Sequence, residues 1–95
     1  MTIEEIKAGV EKVAKEYDLK KVTLFGSYAE GKQTAKSDVD LLVEFIDDSK
    51  ATYFTVYRLQ AKLEKSIGKK VDALPAPIPR DSLLRINKEV FLYGA

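Results

Sequence analysis

Short β-branched or apolar segments alternate with segments of helical periodicity, which predicts an α/β (α+β) fold: a small mixed sheet of three to four strands covered by helices. Three observations carry the prediction. Residues 2–17 repeat apolar side chains at helical spacing, residues 51–67 do so again, and strand-like runs at 21–25, 39–46 and 70–74 are interleaved with them. With 95 residues, 45% of them apolar, the chain can build one core, so residues 1–95 are read as a single domain.

The first helix opens on Thr2 followed by Glu5, a capping box in which each side chain satisfies the other's backbone N–H. Ile3, Ile6, Val10, Val13, Ala14 and Tyr17 then share one face. Lys21 to Phe25 is β-branched and aromatic-rich and stops at Gly26, as a strand ending in a tight backbone turn would. Ser27 to Ser37 is polar and reads as a loop or short helix. The run Val39 to Ile46 is a mostly apolar strand, after which Asp47, Asp48 and Ser49 supply turn residues and an N-cap.

The second helix covers 51–67, with apolar positions at Tyr53, Val56, Tyr57, Leu63 and Ile67, and Gly68 stands where a left-handed cap is usual. Helical spacing assigns Tyr53, Phe54 and Tyr57 to the core; the other use of such aromatics is a partner-binding patch. Lys70 to Leu74 is a short third strand closed by Pro75, Ala76 and Pro77, and Pro79 opens a third helix carrying Leu83, Leu84 and Ile86. The final apolar run, Val90 to Tyr93, suits a fourth strand, a helix end or an extended tail equally well.

Composition removes several chemistries. No cysteine and no histidine are present, so disulfides, thiolate nucleophiles, Ser-His-Asp triads and His-ligated zinc are excluded. The formal net charge of +1, with acids and bases interspersed, does not suit extended nucleic-acid binding through many phosphate contacts. The N-terminus carries acids and no apolar leader, and no apolar run is long enough to cross a bilayer, so a soluble, cytoplasmic protein away from membranes is expected.

Asp38 and Asp40 stand two apart on a strand, so they project from the same face with Cα atoms roughly 6.5–7 Å apart. Side by side they repel, and one of them tends to keep its proton unless a divalent cation lets both ionise. A donor set made only of oxygens favours Mg²⁺ or Mn²⁺ over zinc. An Asp-x-Asp pair alone says little, since surface strands and turns often carry one. The context adds to it. Gly26-Ser27 precedes the pair by ten residues (28–37), and a lone acid, Asp72, is embedded in a second apolar strand, where it is costly unless paired or metal-bound. Gly26 and Ser27 offer backbone N–H groups and a hydroxyl to phosphate oxygens.

Gly-Ser, about ten residues, Asp-x-Asp and a third acid on a later strand resemble the pattern of the polymerase β-like nucleotidyltransferase superfamily. The chain is most similar to its minimal nucleotidyltransferase (MNT) members, through the runs LFGSYAEGKQTAKSDVDLLVEF, KKVDAL and NKEVFLYG. The resemblance implies that Asp38 and Asp40 bind two Mg²⁺ ions, that Asp72 completes the site beside the attacking hydroxyl, and that Gly26 and Ser27 hold the triphosphate of an NTP, with ATP as the expected substrate. It further implies a HEPN-type partner protein, silenced in a toxin–antitoxin pair by AMP added to its tyrosine. One position departs from the family: Glu30 stands where an arginine is frequent. That substitution favours the alternative reading, an antitoxin of weak or no catalytic activity that neutralises its partner by contact.

Overall fold

The computed structural model describes residues 1–76, 86 and 88–94. Helix α1 (Ile3–Ala14) begins with the expected capping box: Thr2 Oγ1 accepts from the Glu5 N–H and Glu5 Oε1 accepts from the Thr2 N–H. Such a cap contributes about 1 kcal/mol. The helix buries Ile6, Val10, Val13 and Ala14 and stops at Ala14 rather than running to Tyr17. Asp18, at φ 51, then turns the chain back, and Tyr17 packs against the core from the turn.

Strands β1 (Leu19–Phe25), β2 (Val39–Phe45), β3 (Val71–Pro75) and β4 (Val90–Gly94) form one sheet in the order β3-β2-β1-β4. β1 pairs antiparallel with both β2 and β4, whereas β2 and β3 are parallel. The ambiguous C-terminal run is therefore a strand, and the sheet is mixed. Parallel neighbours require a crossover, which α3 (Tyr53–Ile67) provides. Helix α2 (Gly26–Glu30) fills the start of the segment read as loop or short helix. Pro79, Leu83 and Leu84, the start and body of the expected third helix, lie outside the described residues.

One face of the sheet is closed by α1 and α3. Val22, Leu24, Val39, Leu41, Val43, Val71 and Leu92 point into that layer and are buried, and Leu59, Leu63 and Ile67 descend on them from α3. The two helices approach closely at Gly9, where a Cβ would lie 2.7 Å from Ile67 Cγ1, and Ser66 Oγ donates to the Gly9 carbonyl at 2.8 Å. Gly68, at φ 80, ends α3 in the left-handed cap expected of it.

The core assignment of Tyr53, Phe54 and Tyr57 is corrected: they are 94%, 69% and 69% exposed. The physical reason is the part of α3 they occupy. Phe54 and Tyr57 stand on the outward stripe with Arg58, Ala61, Lys62 and Lys65, whereas Val56, in the same turns, packs against the core; Tyr53 stands at the start of the helix, beside the outer edge of β3. Where α3 does lie along the edge it protects it: Gln60 Oε1 accepts from the Ala73 N–H and Glu64 Oε2 from the Val71 N–H, each at 3.0 Å. These are the outward donors that would otherwise invite another strand.

Candidate active site

The other face of the sheet is polar. Alternation along β2 puts Asp40, Leu42 and Glu44 on it, and β1 contributes Lys21, Thr23 and Phe25 in register with them. The parallel register sets Asp40 directly opposite Asp72, so the two carboxylates leave the same face of adjacent strands. Asp38 is the residue before β2, anchored by the Val39 N–H donating to the Lys70 carbonyl at 2.9 Å.

Gly26 comes up against Asp40 from the opposite side. Phe25 pairs with Asp40 across the β1–β2 ladder, and the chain turns at Gly26 (φ 75) directly into α2. A Cβ at Gly26 would lie 3.0 Å from Asp40 Cγ and overlap Oδ2, so only glycine lets the backbone approach this carboxylate. Ser27 follows in the first turn of α2, and Tyr28 and Ala29 bury that helix against the sheet. The structure thus brings Gly26, Ser27, Asp38, Asp40 and Asp72 to one end of three neighbouring strands.

The segment leading to Asp38 is rigidified by contacts that local pattern does not reveal. The Thr34 N–H donates to Ser37 Oγ, the Ser37 N–H donates to the Thr34 carbonyl, and Lys69 Nζ reaches across to the Ala35 carbonyl at 3.1 Å. Lys69 also lies 6.0 Å from the centroid of the Tyr28 ring. It therefore joins α2, the 34–37 turn and the approach to β3. Thr34 and Ser37, two hydroxyl residues three apart, were a readable turn signal; the tie from Lys69, 34 residues away, was not.

Burial first, and then the charges of Asp72 and Asp38, raise the Asp40 carboxyl above its ordinary range. Among the described residues none of the three carboxylates has a hydrogen-bond or ion-pair partner. Among the described residues no cationic side chain pairs with these carboxylates. Nor, among the described residues, do three carboxylates stand close enough to enclose an ion by themselves. Carboxylate oxygens are the donor type of a hard cation such as Mg²⁺, which is commonly held by one or two carboxylates with the remaining ligands drawn from substrate phosphates and water.

The sequence profile of the nucleotidyltransferase domain matches residues 6–94. The chain belongs to that family. A relative from Methanocaldococcus jannaschii, named as a putative protein adenylyltransferase, is 41% identical over 73 residues, spanning 76% of this chain and 73% of the relative. Among solved structures, a toxin–antitoxin complex with AMP-PNP superposes with a TM-score of 0.74 at 24% identity, covering 94% of this nucleotidyltransferase and 73% of its counterpart. An MNT antitoxin in complex with a tri-AMPylated HEPN toxin of Shewanella oneidensis gives 0.67 at 19% identity, covering 97% and 72%. At these identities the two structures speak for the fold, a mixed sheet carrying three helices.

Proposed function

We propose that this nucleotidyltransferase transfers AMP from ATP, with Mg²⁺, to a hydroxyl of a HEPN-type partner protein, a tyrosine, and thereby acts as its antitoxin. The observation that carries the reading is the register of Asp40 with Asp72, combined with the glycine turn at Gly26 that brings backbone N–H groups against the same carboxylate. Relatives named as protein adenylyltransferases support a protein acceptor, and a fold neighbour solved with an AMPylated HEPN toxin supports the type of partner.

In this reading Gly26 and Ser27 hold the triphosphate through the backbone N–H groups and the hydroxyl, while Asp38 and Asp40 would hold the metal. When bound there, Mg²⁺ would neutralise charge on the triphosphate and make the incoming hydroxyl more acidic. Asp72, exposed at the sheet edge, takes the proton of that hydroxyl. The acceptor oxygen bonds to the α-phosphorus as the α–β bridging bond breaks, and pyrophosphate departs in line on the opposite side.

The test is mass spectrometry of a purified HEPN-type protein after incubation with this chain and Mg²⁺-ATP. The partner should gain the mass of one or more adenylyl groups, and the Asp40→Asn protein should add none. Glu30 favours a second reading, neutralisation by contact, because it sets a negative charge at the end of α2, the helix that Gly26-Ser27 opens. A partner silenced equally by wild type and Asp40→Asn, with its mass unchanged, would establish that second reading.

A further inference from the structure

The exposed aromatics of α3 are not scattered. Tyr53 and Tyr57 form one wall of a groove of about 410 Å³ whose other wall is β3, lined by Asp72, Leu74 and Pro75. Gln60 stands in the floor with its carbonyl already accepting from the Ala73 N–H, which leaves its amide N–H groups as the donors on offer. An open groove of this size, walled by tyrosines that are 94% and 69% exposed, leaves solvent where a small ligand would be enclosed; ligand pockets usually bury most of their occupant. Exposed tyrosines flanking an apolar trough are instead typical of protein contact surfaces.

The position of the groove decides what enters it. Across the sheet the order is Gly26-Ser27, then Asp40, then Asp72, then the groove. In-line displacement places the attacking and leaving oxygens on opposite sides of the phosphorus. If the departing pyrophosphate rests at Gly26-Ser27, the attacking oxygen must arrive from beyond Asp72, which is where the groove opens. An added β-strand is not the means of docking, because Gln60 and Glu64 already occupy the outward N–H groups of Ala73 and Val71 and Pro75 has none to offer. Side-chain contacts must do it.

We infer that the groove between α3 and β3 is the acceptor site, seating an extended segment of the partner protein so that its hydroxyl lies against Asp72. Tyr53 and Tyr57 grip the segment on either side of the acceptor residue and Gln60 donates to its backbone. Both tyrosines are positioning residues, since neither stands at the triphosphate end of the site. The inference rests on the adenylyl-transfer reading above.

The experiment compares wild type with the double variant Tyr53→Ala/Tyr57→Ala, using Mg²⁺-ATP and the HEPN-type protein that wild type adenylylates, with Ile46→Ser as a control at an exposed apolar residue just past the far end of β2. Both tyrosines are exposed, so the variant should unfold at the wild-type temperature and bind Mg²⁺-ATP with wild-type affinity in calorimetry. Its KM for the partner should rise at least about tenfold, as loss of two interface tyrosines commonly produces, while kcat at saturating partner stays within about twofold. The control should match wild type in both constants. Wild-type transfer together with an unchanged KM in the double variant overturns the groove and leaves the activity standing. A fall in kcat with KM unchanged also overturns it, because the tyrosines would then act on the chemical step. No transfer by wild type overturns the activity itself, and the acceptor site with it.

Discussion

The two faces of β2 divide the molecule's tasks. Val39, Leu41 and Val43 are 0% exposed and packed under α1 and α3, whereas Asp40 and Glu44, on the alternate positions, are half-buried on the open face. Seven consecutive residues thus serve two environments, because a strand reverses its side chains at every step. The closed face supplies burial energy, and the open face spends some of it by holding like charges together. Substitutions on one face should act on stability and on the other on chemistry, and each prediction below tests that separation.

The largest effect belongs to the closed face. Leu41→Ala removes a fully buried side chain at the centre of the sheet and should cost about 2–5 kcal/mol, a large share of the roughly 5–15 kcal/mol that holds a domain of this kind together. Urea unfolding followed by circular dichroism measures it. Asp40→Asn, one residue away, should leave the metal-free midpoint level with wild type or above it. Equal losses from the two substitutions would show that the faces are not independent.

Gly26→Ala acts where the faces meet. The left-handed conformation costs a non-glycine residue about 1–2 kcal/mol, and the added methyl also collides with the Asp40 carboxylate. Gly31 is its internal control: at φ 71 it carries the same strain, but a Cβ there meets nothing within 4 Å. Gly31→Ala should therefore lose only the strain energy. Gly26→Ala should lose more in unfolding and also fail in nucleotide transfer, because Asp40 is displaced. Equal stability and equal transfer rates in the two variants would remove the argument that glycine is needed here for close approach.

The features readable in the sequence are those set by residues near one another along the chain. The Thr2–Glu5 capping box, the glycine turn at Gly26 and the cap at Gly68 all lie within a few residues, and each is found where the pattern put it; Asp38, read as sharing a strand with Asp40, instead stands just before β2. β4 was undecided because its identity comes from pairing with β1, some 70 residues earlier (Leu24 with Val90). Tyr53 and Tyr57 were misplaced for a related reason: their four-residue spacing fits a helix face, but which face meets the sheet is set by Val56, Leu59 and Leu63 packing on distant strands. The ties from Lys69 to Ala35 and from Gln60 to Ala73 likewise join segments distant in sequence, so no local pattern marks them.

The pH dependence of the metal-free protein sharpens the comparison further. The folded state raises the Asp40 pKa above its ordinary value, so between the two values the folded chain binds more protons than the unfolded one, and stability falls as pH rises through that window. The favourable contribution is complete below the ordinary carboxylate pKa and is lost above the raised one. In EDTA, the midpoint of wild type relative to Asp40→Asn should decline from acid toward neutral pH, and added Mg²⁺ with ATP should reverse the decline. A difference that stays flat across this range would mean that Asp40 is already compensated in the folded state.

The smallest effect is expected at Glu30, at the end of α2. Its carboxylate lies 3.6 Å from Lys32 Nζ, with the glutamate side chain 23% exposed and the lysine 77% exposed. A pair this open to water contributes between zero and about 1 kcal/mol to stability, so Glu30→Arg should unfold close to wild type. Its effect on nucleotide binding has two parts of the same sign: a negative charge is replaced by a positive one at the end of the helix that Gly26-Ser27 opens, and Lys32 is released from its partner. Both favour a polyanion, yet both act through solvent. Mg²⁺-ATP affinity in calorimetry should therefore tighten only a few-fold at low ionic strength, and most of the gain should vanish near 0.5 M salt, where the screening length falls to roughly 4 Å. A gain that persists in high salt would mean direct contact between residue 30 and the phosphates, and no gain at either ionic strength would mean that the Glu30 carboxylate faces away from the nucleotide.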